Sequence, residues 1–279
     1  MSVPEGLPPM EYRFLGRSGL KVSALSLGGW LTYGGHVEEA AYDIGVNFFD
    51  CAETYSAGES ERVMGRAINK FGWKRNDLVI STKIYWGSAF GDNPVNNVGL
   101  SRKHIVEGTN AALERLGLSY VDLIYAHRAD RDTPMEETVR AFNHIIETGL
   151  TTFSPLKLGI LTGKYNDGVP KDSRLGASTD KFVEGFNKNV GDEKWQKEIE
   201  IVKNLKPIAD KLEVTQAALA LAWVLRNKNV SSAITGASRP EQVYESAKAF
   251  AVVKKLTPEI LDEIDVVLGN KPPVLVRRY

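Results

Sequence analysis

The stretch Gly45-Val-Asn-Phe-Phe-Asp50-Cys-Ala-Glu-Thr-Tyr55 is the one around which the fold is organised. A short apolar run ends at Asp50, and Tyr55 follows five residues later in a loop with glycine and serine. In α/β barrels the chemistry lies where strands end and βα loops begin. Taken alone, the stretch is better explained by an acid that caps a strand and a tyrosine that packs a loop. The remaining chain has to decide between these interpretations.

Outward from this stretch, short strand-like runs alternate with helix-like segments, which predicts an α/β fold with a parallel sheet. After an N-terminal β-hairpin over 11–15 and 20–23, we predict six barrel strands. They begin at Val22, Gly45, Asp77, Val121, Gly149 and Ser232. We predict helices over 37–43, 59–70, 102–116, 135–147, 193–211, 215–227 and 256–268, and one that opens near Ser238. No linker-like stretch divides the chain, so we expect a single domain over 1–279.

Composition excludes several classes of protein. Lys+Arg and Asp+Glu both number 35, which removes the electrostatic argument for nucleic acid or an anionic membrane as a partner. The single cysteine, Cys51, excludes an intrachain disulfide framework and a cysteine-rich metal site, and it fits a reducing compartment. The N-terminus lacks the features of a signal peptide, and no apolar run approaches the ~18 residues that span a bilayer. We therefore expect a cytoplasmic protein without membrane insertion and without a metal.

Three of the predicted strands end in residues that suit acid–base chemistry, namely Asp50, Lys83 and His127. If the strands are parallel, these side chains and Tyr55 share one edge of the sheet. An ammonium beside a tyrosine lowers the pKa of the hydroxyl, and a carboxylate holds the ammonium charged. A histidine can orient a carbonyl oxygen and share in proton delivery. Each residue alone is more often structural, but together they suit protonation of a carbonyl oxygen while a hydride reaches its carbon.

Ordered motifs now connect the chain to a known family. Besides 45–55, they are Gly58-Glu-Ser-Glu61, Ser81-Thr-Lys83, and the run 116–123 followed by His127. With these the chain resembles the aldo-keto reductases. Further motifs over 15–22, 28–35, 71–78 and 154–165 resemble the branch of the voltage-gated potassium channel beta subunits and their microbial relatives. The resemblance covers nearly the whole chain.

The resemblance implies a (β/α)8 TIM-type barrel that binds NADPH across the carboxyl edge of its strands. It implies that Tyr55 is the proton donor, that Lys83 and Asp50 tune it, and that His127 completes the catalytic set. The channel subunits often have asparagine at the position of His127, so histidine resembles the ordinary reductases more. A small carbonyl substrate and a homo-oligomer, a tetramer, are also implied.

Cofactor contacts follow from the same resemblance. The matching positions are Gly29, Trp30, Asp50, Phe153, Ser154, Pro155, Leu156, Lys164, Arg174, Gly236, Ser238, Arg239, Gln242 and Glu245. Phe153 stands where the family usually has tryptophan. Arg239 beside Ser238 favours a 2′-phosphate, and hence NADPH over NADH, because a helix N-terminus suits a phosphate.

The strand count departs from the family. We predict about six barrel strands instead of eight, because an apparent deletion near 149–150 removes the fifth and sixth βα units. A smaller apparent deletion near 36–39 shortens a crossover helix. Strand number, shear and tilt are linked in a barrel. The shortened sheet must therefore close under strain or stay open with two unpaired edges. The chain has either lost two units or comes from an incomplete transcript or gene model, and we favour the second because the flanking sequence matches well.

Three hypotheses follow. The first is an NADPH-dependent reductase that converts aldehydes or ketones to alcohols. The second is a regulatory subunit similar to the channel beta subunits, which binds NADPH with little turnover. The third is an inactive truncated product that does not fold stably. The carbonyl substrate is not encoded in any motif, because specificity lies in variable loops such as 93–97 and 168–191.

Overall fold

The computed structural model describes residues 3–30, 32–34, 36–87, 95–145, 152–153, 155–178, 183–184, 187–228 and 230–269. The strands are β1 (Tyr12–Phe14), β2 (Lys21–Ser23), β3 (Leu25–Gly28), β4 (Phe48–Asp50), β5 (Val79–Ile84), β6 (Leu123–Ala126), β7 (Thr152–Phe153) and β8 (Ala233–Thr235). The helices are α1 (Val37–Asp43), α2 (Glu59–Phe71), α3 (Arg102–Leu116), α4 (Met135–Ile145), α5 (Arg174–Ala177), α6 (Glu193–Lys211), α7 (Gln216–Arg226), α8 (Pro240–Ala247), α9 (Ala249–Val253) and α10 (Pro258–Leu268).

The chain divides into two compact units. The first comprises Met1–Ser154 and Lys228–Ala247, and the second comprises Pro155–Asn227 and Lys248–Tyr279. Among the residues that the structure describes, the first unit holds all eight strands, and the second is helical. The single domain over 1–279 stays a prediction.

The first unit is built on a parallel sheet of six strands in the order β6-β5-β4-β3-β8-β7. The six predicted barrel strands and the α/β class are confirmed. Among the described residues, β6 pairs only with β5 and β7 only with β8, so the sheet is open at these two strands. The strand count predicted either a sheet closed under strain or an open sheet, and the structure has the open sheet. The predicted deletion site at 149–150 lies outside the described residues.

The central strands of the sheet are covered on both faces. All residues of β4 and β5 are buried, as expected for a parallel sheet with both faces covered. Phe49 and Ile80 lie in one core cluster with Met64 of α2, Leu116 of α3 and Trp73. The sheet positions the site because β4, β5 and β6 are neighbours whose carboxyl ends lie at one edge.

Helix ends follow local signals. Ser101 caps α3, since its side chain accepts a hydrogen bond from the backbone N–H of His104. Gly72 and Gly117 end α2 and α3 in the left-handed conformation that glycine adopts most readily. The helices predicted over 37–43 and 102–116 both have the predicted bounds. The predicted end of helix 135–147 lies outside the described residues.

Five of the six predicted barrel strands were predicted to begin one to three residues too early, and two of these have a clear cause. The predicted strand from Val22 divides into β2 and β3 around Ala24, because β2 pairs with β1 in the predicted hairpin while β3 pairs with β4 and β8. The predicted strand from Asp77 begins at Val79, because Arg75–Asp77 forms a 3-10 turn. In both cases tertiary pairing or a local turn overrides apolar composition.

The second unit consists of packed helices with side-chain caps. Helix α7 packs against α9, and α6 packs against α10. Asp192, Thr215 and Thr257 cap α6, α7 and α10, each accepting a backbone hydrogen bond from the first helical turn. The prediction of helix 193–211 is confirmed with its bounds. None of the helices in the described part of the chain combines the length and the apolar character needed to cross a membrane.

Candidate active site

An ion pair between Lys83 and Asp50 lies at the carboxyl ends of β5 and β4. Lys83 Nζ donates to Asp50 Oδ2 at 2.5 Å and to the backbone carbonyl of Cys51 at 2.7 Å. Asp50 is 2% exposed and Lys83 is 9% exposed. Burial alone would lower the pKa of Lys83, but Asp50 and Tyr55 outweigh it and raise the pKa above its ordinary value. The lysine is therefore held as a desolvated ammonium.

Tyr55 stands beside this ammonium. Lys83 Nζ lies 4.6 Å from the centroid of the Tyr55 ring and forms a hydrogen bond with the Tyr55 side chain. Burial raises the pKa of Tyr55 above its ordinary value, and the neighbouring ammonium lowers it by less. The predicted lowering of this pKa by the ammonium is present, but desolvation of the phenolate exceeds the attraction of Lys83. Tyr55 carries its proton at neutral pH.

His127 follows β6 directly and completes the group. Its ring and that of Tyr55 meet edge to face, with centroids 5.7 Å apart and planes at 81°. Burial, with help from the charges of Lys83 and Arg128, lowers the pKa of His127 to about 4. Its Nδ1 is buried and has no hydrogen-bond partner among the described residues. His127 is thus a neutral imidazole with one ring nitrogen left to bind a ligand or a water.

The segment after Tyr55 is strained. Tyr55–Gly58 forms a 3-10 turn in which Ser56 and Ala57 both have positive φ, 49° and 53°. Residues with a Cβ pay roughly 1–2 kcal/mol each for this left-handed conformation. Such strain is found where the surrounding structure fixes a functional group, and here it lies next to the Tyr55 side chain.

Three contacts of the site were not predicted. Ser81 donates to Asp50 Oδ1 at 2.6 Å, so both carboxylate oxygens of Asp50 are bound. Tyr33 donates to the backbone carbonyl of Asp50 at 3.2 Å. The carbonyl of Cys51 is the second acceptor for Lys83. Ser81 could have been found, because strand alternation places it on the same face as Lys83, but the other two depend on loop conformation.

Among the predicted cofactor residues of the first unit, those after β8 have a suitable donor set. Ser238 and Arg239 are exposed just before α8, where a guanidinium, a hydroxyl and a helix N-terminus suit an anionic phosphate. Gln242 Oε1 accepts from the backbone N–H of Ser238 at 2.7 Å and orders this turn. Gly236 is exposed and Glu245 is half-buried. These residues therefore fit the phosphate end of the predicted NADPH.

The structure describes the other predicted cofactor-binding residues of the first unit to different extents. Gly29 donates to the carbonyl of Asp50 at 2.7 Å, and a Cβ there would lie 2.3 Å from Ser60 Oγ, so this glycine has a packing role. Trp30 is half-buried beside it. Phe153 ends β7, while Ser154 and the Phe153 side chain lie outside the described residues.

In the second unit, Pro155 and Leu156 are half-buried and precede a 3-10 helix, Lys157–Thr162. Lys164 is exposed, with Nζ 4.9 Å from the centroid of the Tyr165 ring. Arg174 begins α5, and its side chain lies outside the described residues. The cofactor contacts of these four residues stay predictions. Among the residues described in either unit, no group of three or more His, Cys, Asp and Glu side chains is placed to hold a metal ion.

Comparison with protein families gives one match. The model of the aldo/keto reductase family matches residues 36–152 and 149–268. These two segments cover most of the chain and meet close to the predicted deletion.

Curated relatives match over nearly their full lengths. The chain is 43% identical to a protein of Arabidopsis thaliana named as a probable voltage-gated potassium channel subunit beta, over 94% of this chain and 98% of that protein. It is 42% identical to a putative voltage-gated potassium channel subunit beta of Schizosaccharomyces pombe, over 96% of this chain and 95% of that protein. These alignments span 331 and 337 positions, more than the 279 residues of this chain. They therefore include positions that the chain lacks.

Proposed function

The chain belongs to the aldo/keto reductase family, in the branch of the potassium channel beta subunits, and from its site we propose that it is an NADPH-dependent reductase of aldehydes or ketones. Its fold is accordingly the (β/α)8 type in an incomplete form. The observation that carries the proposal is the buried Lys83–Asp50 pair beside a protonated Tyr55 and a neutral His127.

When bound, NADPH would supply the hydride that the carbonyl carbon accepts in the proposed reaction. The hydroxyl of Tyr55 gives its proton to the carbonyl oxygen, and the Lys83 ammonium stabilises the phenolate that remains. Asp50 keeps Lys83 charged and fixed at 2.5 Å. Neutral His127 can donate a hydrogen bond to the same carbonyl oxygen. The net change is addition of one hydride and one proton, which gives the alcohol.

For the cofactor, we propose that Ser238 and Arg239 bind the 2′-phosphate and that Trp30 lies on the nicotinamide side. Phe153 to Leu156, Lys164 and Arg174 would then contact the rest of the phosphate chain, and Gly236, Gln242 and Glu245 the adenosine. A small carbonyl compound is the proposed substrate. A homotetramer in the cytoplasm is the assembly and location that the resemblance predicts.

The test is titration of the purified protein with NADPH, followed by turnover with a simple aldehyde such as 4-nitrobenzaldehyde. We expect quenching or a shift of NADPH fluorescence and aldehyde-dependent oxidation of NADPH. Absence of binding at high micromolar NADPH would refute the proposal for this chain. Arg239→Gln should weaken NADPH binding more than NADH binding.

A second candidate function is a regulatory subunit that binds NADPH with little turnover. The two relatives are named as channel beta subunits, which favours this function. His127 argues against it, because channel subunits often have asparagine at that position. This second function predicts tight NADPH binding and a turnover that Tyr55→Phe leaves unchanged. A cooperative thermal unfolding transition would exclude the third hypothesis, an unstable truncated product.

A further inference from the structure

A second buried pair, Glu53 and His104, lies beside the site and has no part in the proposed chemistry. Glu53 is 1% exposed and His104 is 4% exposed, and Oε2 of Glu53 lies 3.3 Å from Nε2 of His104. A Cβ at Gly108 would come within 3.1 Å of that carboxylate oxygen. The pair is therefore tightly enclosed, and burying two such groups is costly unless each has full hydrogen bonding.

Glu53 connects the Tyr55 segment to the end of β5. Its Oε1 accepts from the backbone N–H of Tyr85 at 2.7 Å and of Gly87 at 2.8 Å. Its own backbone N–H donates to the carbonyl of Lys83 at 3.2 Å. Three hydrogen bonds thus join the residue two places before Tyr55 to the residues at and after Lys83.

His104 holds the other side of this carboxylate. Its Nδ1 lies 2.8 Å from the carbonyl oxygen of Gly99, while Nε2 faces Glu53. A neutral imidazole has one N–H and can serve only one of these acceptors, whereas the imidazolium serves both. Burial would lower the pKa of His104, but the hydrogen bonds to Glu53 and Gly99 and the charges of Glu53 and Glu107 raise it. The charged form is therefore the one that satisfies the pair.

We propose that Glu53 and His104 are positioning residues that set the distance between Tyr55 and Lys83 by clamping the two segments that carry them. The proposal rests on the proposed reductase function for its kinetic part. It requires no contact with substrate or cofactor. Loss of the clamp acts on proton donation, and so on kcat, and leaves NADPH affinity unchanged.

The experiment compares Glu53→Leu and His104→Gln with a matched control, Asp122→Leu. Asp122 also accepts a backbone N–H of β5, from Ile80 at 2.8 Å, and pairs with Arg75, but at the other end of the strand. Hydrogen-exchange protection factors of the Tyr85 and Gly87 amides are measured by NMR without cofactor. The melting temperature, kcat, KM and the Kd for NADPH are measured on the same samples.

We expect Glu53→Leu, which offers no acceptor to the Tyr85 and Gly87 amides, to lower both protection factors and kcat by about 10-fold each, because sub-ångström displacement of a catalytic group has effects of this size. The Kd for NADPH stays within about twofold. Asp122→Leu lowers the melting temperature but not kcat. In the unmodified protein the protection factors fall as pH rises through the raised pKa of His104, and in His104→Gln this dependence is lost.

Unchanged protection factors in Glu53→Leu would overturn the clamp. An unchanged kcat, or an equal loss in Asp122→Leu, would overturn its role in positioning. If the unmodified protein turns over no aldehyde, the proposed reductase function has failed. The protection factors then decide by themselves whether the clamp exists.

Discussion

Strand β5 has a cation–carboxylate pair at each end, and the two pairs have different surroundings. At the amino end, Arg75 binds Asp122 at 2.7 Å, and at the carboxyl end, Lys83 binds Asp50 at 2.5 Å. The Arg75–Asp122 pair also forms hydrogen bonds with the backbone. Arg75 donates to the carbonyls of Leu78 and Tyr120, and Asp122 accepts from the N–H of Ile80. Such a pair fixes loops, although Arg75 Nε is buried without a hydrogen-bond partner among the described residues.

The Lys83–Asp50 pair is more buried and has titratable neighbours. Its ammonium contacts Tyr55 and lowers the pKa of His127, whose Nδ1 has no partner in the described part of the chain. The difference is informative because both pairs have the same ingredients and lie on the same strand. Perturbed ionisation marks functional sites, and at the carboxyl end of β5 it is found in Tyr55 and His127.

The largest effect that separates the two ends is expected from removing the cations. Lys83→Met should lower turnover roughly 10²–10⁴-fold, the range for loss of acid–base assistance. Arg75→Met should lower the melting temperature and leave kcat within about twofold of the unmodified value. Steady-state kinetics and thermal unfolding of both variants measure this. Equal kinetic losses in the two variants would remove the distinction between the ends.

A moderate effect is expected on the pH dependence of stability. His127 is held neutral with its pKa lowered to about 4, whereas in the unfolded chain it titrates near 6.5. Between these values the unfolded chain binds more protons, so the stability that His127 contributes is lost as pH falls from ~6.5 towards 4. His127→Asn should reduce the drop in melting temperature between pH 7 and pH 5. An identical drop in the variant would show that His127 is not held neutral.

The smallest effect concerns backbone strain, which we expect at the carboxyl end. Ala57 has φ 53° in the turn after Tyr55. Ala57→Gly should stabilise the fold by about 0.5–1 kcal/mol, because glycine adopts this conformation without a Cβ clash. Ala111→Gly, inside α3, should instead destabilise by about 1 kcal/mol. Chemical denaturation measures both, and a loss of stability in Ala57→Gly would argue against the strained turn.

The sequence predicted features that depend on local interactions better than features that depend on long-range contacts. Helix α3 was predicted with its bounds because Ser101 and Gly117 are local signals. The edge shared by Asp50, Lys83 and His127 followed from parallel strands alone. The strand count left two outcomes, a strained closed sheet and an open sheet, because it does not determine whether the two outer strands pair with each other.

Burial and long-range contacts limited the prediction of the site. The sequence predicted that the ammonium lowers the pKa of Tyr55, but it did not show the desolvation that exceeds this effect. Glu53 and His104 were missed because a strand, a helix and long loops separate them in sequence. The Cys51 carbonyl that binds Lys83 had no signal in the side-chain pattern.

The central claim is that Tyr55 donates the proton, with Lys83 and Asp50 in support. It is tested most directly by single-turnover oxidation of bound NADPH in the presence of saturating aldehyde, in the unmodified protein and in Tyr55→Phe. The account predicts a rate constant roughly 10²–10⁴-fold lower in Tyr55→Phe, with the Kd for NADPH unchanged. Equal rate constants in the two proteins would contradict it.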